Sequence, residues 1–190
     1  MELKRVVVTG LGAITPLGHN VADTWAAVVD GVSGAGPITR FDASLFKTQF
    51  ACEVKDFDPS LYFDRKEARK YDRYAQYAVI AAKEGVEDSG LDLEKVNKNR
   101  VGVIFAAGIG GIRTFEEEVG GFYLNEDKGP RFNPFFIPKM IADIAAGHIS
   151  MMYGFHGPNY ATVSACASST NALIDAFNNI RLGKADVIVT

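Results

Sequence analysis

What this sequence lacks narrows it first. It holds only two cysteines in 190 residues. Cys52 and Cys166 stand 166 − 52 = 114 positions apart, with neither a CxxC nor a cysteine–histidine spacing, which argues against a disulfide framework and a structural zinc site. Such usage suits a reducing cytoplasm. No uninterrupted apolar run approaches the roughly 20 residues of a membrane span, and Met1 to Arg5 lead into a strand pattern without a signal-peptide core. Charge of one sign is scarce too. The 20 basic and 23 acidic residues leave a net −3, against a general nucleic-acid binder. Low-complexity tracts and short-period repeats are missing, and 47% apolar with 23% charged residues is the make-up of a globular chain, not a disordered, collagenous or coiled-coil one. At about 150 residues per domain, the length holds one domain or part of something larger.

What is present reads as alternating strands and helices. Arg5 to Thr9 is a β-branched run ending at Gly10, which predicts a buried strand and a tight turn. Asn20 can cap a helix whose stripe is Val21, Ala22, Trp25, Ala26 and Val29, with Gly31 as its left-handed exit. A short strand is expected over Phe50 to Val54. A second helix is expected from Asp72 to about Ser89, with Tyr74, Tyr77, Ala78 and Ala81 on one face and Gly90 as its stop. Val101 to Ala106 is a continuous apolar strand running into the side-chain-poor loop Gly108-Ile109-Gly110-Gly111. Gly120 to Pro138, with four phenylalanines, reads as irregular yet obliged to bury large rings. Ile137 to Met152 reads as one helix apolar on nearly every side, suited to a deep position or a subunit contact, with His148 as a packed residue.

The last third has the clearest pattern: strand Tyr160 to Val163, turn Ser164-Ala165-Cys166, helix to Leu182, stop Gly183, strand Ala185 to Thr190. Unbroken apolar strands separated by helices predict a mainly parallel sheet covered on both faces. Val187 to Thr190 has the character of an interior strand, and its abrupt end predicts a sequence cut short.

Cys166 stands out by position. It lies between a strand and the first turn of a helix, among Ala165, Ala167, Ser168 and Ser169, all small enough to admit another group. Unsatisfied N–H groups and the positive end of a helix dipole favour a thiolate there. The same N–H groups could donate to an oxyanion. A small buried hydrophobe is the bland alternative. Against it, the stripe Ala172, Leu173, Ala176, Phe177 and Ile180 fixes the helix register and aims its N-terminus. Cys52, inside Phe-Ala-Cys-Glu-Val, reads as plain packing.

Val163-Ser164-Ala165-Cys166-Ala167-Ser168-Ser169-Thr170-Asn171-Ala172 resembles the nucleophile motif of the β-ketoacyl-acyl-carrier-protein synthases, condensing enzymes of fatty-acid elongation. The likeness extends through Val6 to Gly18, Phe41-Asp42, Ala51 to Val54, Asp64 to Lys70, Gly108 to Gly111, Pro134 to Pro138 and Gly157 to Tyr160. It covers essentially the whole chain and is greatest to the synthase II branch. The resemblance implies an α/β, thiolase-like layered αβαβα fold, of which residues 1–190 would be the N-terminal half. It implies decarboxylative Claisen condensation of acyl- and malonyl-carrier protein through an acyl-Cys166 intermediate, with no cofactor or metal, in a cytoplasmic homodimer. The matching isoleucine in the family gates the acyl pocket, so Ile109 is expected to bind the acyl chain, with Phe135 and Ile137 as candidate pocket wall. The family's catalytic histidines and lysine would lie in the second half. None of His19, His148 and His156 sits in a matching motif, and the chain alone is expected to be inactive in condensation.

Asp64 to Arg73 holds five basic and three acidic residues. If helical, Lys66, Arg69, Lys70 and Arg73 would form one basic stripe. On pattern, a solvated face and a dock for acidic acyl carrier protein are evenly matched; the resemblance favours docking at Lys66, Arg69 and Lys70. A nucleotide-binding oxidoreductase fails on spacing: GxGxxG would need glycine at Thr15, and the short-chain dehydrogenase pattern would need it at Ile14 and Pro16. A non-catalytic partner subunit would lack Cys166. Synthase I and polyketide ketosynthases remain as alternatives.

Overall fold

A computed structural model describes residues 3–125, 129 and 131–190. Helix α1 spans Val21–Val29, and the Asn20 side chain accepts from the Asp23 N–H at 2.7 Å, as its capping chemistry predicts. Gly31 leaves it at φ +67°. The stripe of α1 is not buried: Ala22, Trp25, Ala26 and Val29 are exposed. Strands β1 (Gly36–Pro37) and β2 (Phe50–Ala51) form a small antiparallel pair, shorter than the expected strand to Val54. Cys52, just beyond β2, is exposed and not packed.

The core is built on two helices and a three-stranded parallel sheet. Helix α2 (Arg65–Ala68) is a single turn capped by Asp64, and α3 (Arg73–Asp88) follows with Asp72 as its cap. The buried residues of α3 are Ala75, Gln76, Ala78, Val79, Ile80, Ala82 and Val86; of the expected stripe Tyr74, Tyr77, Ala78 and Ala81, only Ala78 is buried, because both tyrosines reach sideways. The Tyr74 hydroxyl donates to Ile141 O at 2.5 Å, and the Tyr77 ring packs edge-on against Phe57 at 4.8 Å. Strand β3 (Val101–Ile104) is buried at every position. Val101 and Val103 join a cluster with Val79, Ala146 and Ile149, while Gly102 and Ile104, on the opposite face by alternation, are also buried. Both faces are therefore covered, as a parallel sheet requires.

Strands β4 (Asn159–Tyr160) and β5 (Val187–Val189) flank β3 in the order β4-β3-β5, both parallel to it. Helix α7 (Ser168–Arg181) crosses between them and packs on β3 and β5. Among the described residues β5 is an edge strand and only half buried, not interior. The expected strand Arg5 to Thr9 has no ladder partner among the described residues; Val7 and Val8 are exposed, and a β-branched run stays irregular when no edge pairs with it. The following segment is held to α3 by carboxylates instead: Leu11 N–H donates to Asp88 at 2.9 Å and Ala13 N–H to Glu84 at 2.8 Å.

Two further expectations are corrected. Helix α4 runs from Ile112 to Leu124, through Gly120 and Gly121, so the irregular stretch begins later; residues 126–128 and 130 of it lie outside the described residues. The single helix over Ile137 to Met152 is two, α5 (Phe136–Met140) and α6 (Ile144–Tyr153), separated where Ile141 turns extended at ψ 141°. On α6, Ala145, Ala146 and Ile149 are buried while Met151 and Met152 are exposed. His148 does pack, edge-on to Tyr71 at 4.3 Å, and burial holds its imidazole below the usual value. No helix among the described residues is long and apolar enough to cross a membrane.

Candidate active site

Two loops leave the carboxyl ends of neighbouring parallel strands, the position where open α/β sheets collect ligands. One follows β4 and carries Cys166; the other follows β3 and carries Ile109. They run close together: a Cβ added at Gly108 would lie 3.7 Å from Ala165 O.

Cys166 is exposed in a single 3-10 turn, Ala165–Ala167, that leads directly into α7. Ala165 holds φ +48°, the left-handed region that a side chain adopts only under constraint. The constraint is Ser168, a buried hydroxyl in the first turn of α7. It accepts from the Ser164 N–H at 2.8 Å and donates to Ala165 O at 2.7 Å, bridging the turn from inside. Outside it, the Asn171 amide donates to Ser164 Oγ at 2.6 Å, and Thr162 Oγ1 donates to Ser168 O at 2.8 Å. Helix α7 has no side-chain cap; the turn before it engages its leading donors instead, Ala167 N–H on Ser164 O and Ser168 N–H on Ala165 O. The Cys166 N–H meets no acceptor among the described residues. An exposed sulfur and a free amide donor on the same residue can attack a carbonyl and then stabilise the oxyanion that forms.

The second loop is held at its far end. Gly111 N–H donates to Met140 O at 2.9 Å, and a Cβ on Gly110, at φ +96°, would come within 2.5 Å of the same oxygen. Only glycine fits there. These contacts bring α5, with Phe135 and Ile137, alongside the loop. Ile109, between the fixed ends, is 70% exposed, and Phe135 and Ile137 are exposed as well. Clefts of about 500 and 820 Å³ open elsewhere, and neither is lined by these residues or by Cys166.

Lys66, Arg69 and Lys70 are exposed on and just after α2. The expected stripe breaks before Arg73, because α2 ends at Ala68 and the chain turns through Asp72 before α3 begins; Arg73 lies over the Phe57 ring at 4.8 Å. No described histidine bonds to the Cys166 turn: His19 Nε2 pairs with Lys55 O at 2.8 Å, and His156 N–H donates to Lys98 O at 2.9 Å. The described residues contain no group of three His, Cys, Asp or Glu placed to hold a metal ion. Ser168 and Asn171 escaped the sequence analysis as site residues. The one available signal was small polar residues in the first turn after Cys166.

Residues 3–190 match the family model described as "Beta-ketoacyl synthase, N-terminal domain". The chain is 45% identical over 190 residues to 3-oxoacyl-acyl-carrier-protein synthase 2 of Synechocystis sp., covering 100% of this chain and 45% of that one. It spans about half the length of the relatives it matches. Among solved structures it superposes on the ishigamide ketosynthase/chain length factor with a TM-score of 0.86 at 28% identity, over 98% of this chain and 46% of that one. A type II polyketide ketosynthase, bound to a hexaketide and in complex with its acyl carrier protein, gives 0.81 at 28% identity, over 97% and 49%.

Proposed function

Since the chain belongs to the β-ketoacyl synthase family and carries the thiolase-like fold of its N-terminal domain, we propose that it is the acyl-accepting half of a fatty-acid-elongating synthase of type 2. The observation that carries this is Cys166, exposed at the strand-to-helix turn with its own N–H unengaged. In the first step the Cys166 sulfur attacks the thioester carbonyl of acyl-carrier protein. The tetrahedral oxyanion sits against the Cys166 N–H. The bond to the carrier sulfur then breaks, the carrier leaves as its thiol with the proton Cys166 gave up, and the acyl group stays on Cys166.

In the second step malonyl-carrier protein loses carbon dioxide, and the electron pair left on carbon attacks the acyl-Cys166 carbonyl. Sulfur departs and a β-ketoacyl chain two carbons longer remains on the carrier. By the family resemblance, the histidines and lysine that drive decarboxylation belong to a second half, so these 190 residues alone form no carbon–carbon bond. Ile109, Phe135 and Ile137 line the acyl site in this reading. Lys66, Arg69 and Lys70 receive the acidic carrier protein; their exposure, and the carrier complex of the polyketide relative, support that role. The complete protein acts as a cytoplasmic homodimer without cofactor or metal. The 45% identity to a synthase 2, against 28% to a type II polyketide ketosynthase, favours fatty-acid over polyketide substrates.

Mass spectrometry of the complete protein after incubation with acyl-carrier protein tests this. The acyl mass should map to Cys166, vanish in Cys166→Ala and persist in Cys52→Ser. Because both cysteines are exposed, faster labelling of Cys166 by iodoacetamide or cerulenin would reflect its reactivity and not its access. Labelling of both at one rate, with no acyl adduct on Cys166, overturns the proposal.

A further inference from the structure

Asp72 is a charged side chain in an interior that otherwise holds, among the described residues, only Gln76, Thr114 and Ser168 as buried polar groups. It is 7% exposed. Burying a carboxylate is costly unless donors converge on it, and here donors come from two helices. Oδ1 accepts the Tyr74 N–H at 3.2 Å, capping α3. Oδ2 accepts the Thr114 hydroxyl at 2.6 Å and the Thr114 N–H at 3.2 Å, in the first turn of α4. Helix α4 has no cap of its own, since Gly111 precedes it. One carboxylate therefore serves two helix N-termini, where negative charge is favoured twice over.

The placement of α4 matters because the Gly108–Gly111 loop runs straight into it. Gly111 sits against Asp72, with a Cβ there only 3.1 Å from Oδ2. At the loop's other end Gly108 abuts Ala165, one residue from the sulfur. Ile109 thus hangs between an anchor on Asp72 and the nucleophile turn. We propose that Asp72, through its hydrogen bonds to Thr114, is a positioning residue that sets where Ile109 rests beside Cys166 and so how the protein discriminates among acyl chain lengths. This rests on the acyl-accepting function proposed above. Asp72 touches no reacting atom. Its effect passes through Thr114 and the glycine loop.

Thr114→Val keeps the side-chain volume and removes the hydroxyl donor; Thr114→Ser restores it. Both are made in the complete protein, with Asp72→Asn as a variant that alters the anchor itself. The readouts are kcat/KM ratios for long- against short-chain acyl-carrier protein, amide exchange over Gly110 to Thr114, and iodoacetamide labelling of Cys166. Thr114→Val should shift the chain-length ratio roughly tenfold and speed exchange of the segment by about the same factor, the size of one charge-assisted hydrogen bond. Labelling of Cys166 should stay within about twofold of wild type, and Thr114→Ser should return the ratio to within about twofold. Equal loss for long and short chains, or an unchanged ratio, overturns the inference even if stability falls. Absence of an acyl adduct on wild-type Cys166 is a different failure, which removes the functional reading beneath it.

Discussion

Replacing Ser168 by alanine should loosen the turn that presents Cys166. The hydroxyl makes two bonds, to the Ser164 N–H at 2.8 Å and to Ala165 O at 2.7 Å. Each is worth about 1 kcal/mol net. Ser164 is exposed, so its released N–H finds water and the larger penalty for a buried orphan does not apply. The expected loss is about 2 kcal/mol. That matches the roughly 1–3 kcal/mol of strain that a residue such as Ala165, at φ +48°, stores in the left-handed region. With the clamp gone, the turn relaxes and Cys166 loses its fixed aim at the helix N-terminus. Urea unfolding of Ser168→Ala should show the stability loss, and iodoacetamide labelling of Cys166, followed in a Cys52→Ser background, should slow severalfold. Ser168→Thr, which keeps the hydroxyl, should retain most of the labelling rate. Unchanged stability together with an unchanged labelling rate in Ser168→Ala would refute the clamp.

Asp186 accepts from Arg100 Nε at 2.5 Å and Nη2 at 2.9 Å and from Lys4 at 3.0 Å, and these donors hold its carboxyl well below the usual range. A depressed carboxylate stabilises the fold above the unfolded value of 3.8 and loses that contribution as pH falls through the folded value. Asp186→Asn should therefore lower stability at pH 7 by at most about 1 kcal/mol, since the pair is partly exposed, and the gap from wild type should close in strong acid; a gap of constant size across urea titrations would contradict this. Gly110→Ala places a methyl against Met140 O at positive φ, so it should cost about 2 kcal/mol or more by the same urea assay, and a neutral result would show that the loop yields. In the complete protein, Lys66→Glu with Arg69→Glu should weaken acyl-carrier-protein binding in a salt-dependent way while sparing small thioester substrates; equal loss for both substrate classes would argue against docking there.

Local chemistry was legible where a residue acts on its own neighbours. Asn20 as a cap, Gly31, Gly90 and Gly183 as stops, and the turn at Cys166 with the helix after it could all be read directly, because caps and turns are decided within a few residues, whereas the strand before them lies at Asn159–Tyr160 and not at Tyr160 to Val163. Pairing and burial were less so. The run Val6-Val7-Val8 has every mark of a strand, yet strands exist only by partnership, and none of the described strands pairs with it. The stripe on α1 gave the right helix but not a buried one, since periodicity marks a face without saying what covers it. Gly120 and Gly121 suggested a break, but α4 absorbs both. The Asp72–Thr114 link joins residues 42 positions apart, and no local pattern announces it. Ser168 was visible as a small residue leaving room around the sulfur. Its role as a bridge needed coordinates.

Both loops of the candidate site spring from one rim of the sheet, while β3 beneath them is walled in on both faces. Insertions or exchanges in either loop leave that foundation untouched. On the function proposed above, evolution can retune which chain length is admitted by editing the segment after β3, without disturbing the sulfur delivered by the segment after β4. The division of labour makes the rim a natural target for grafting new selectivity onto an unchanged attacking group.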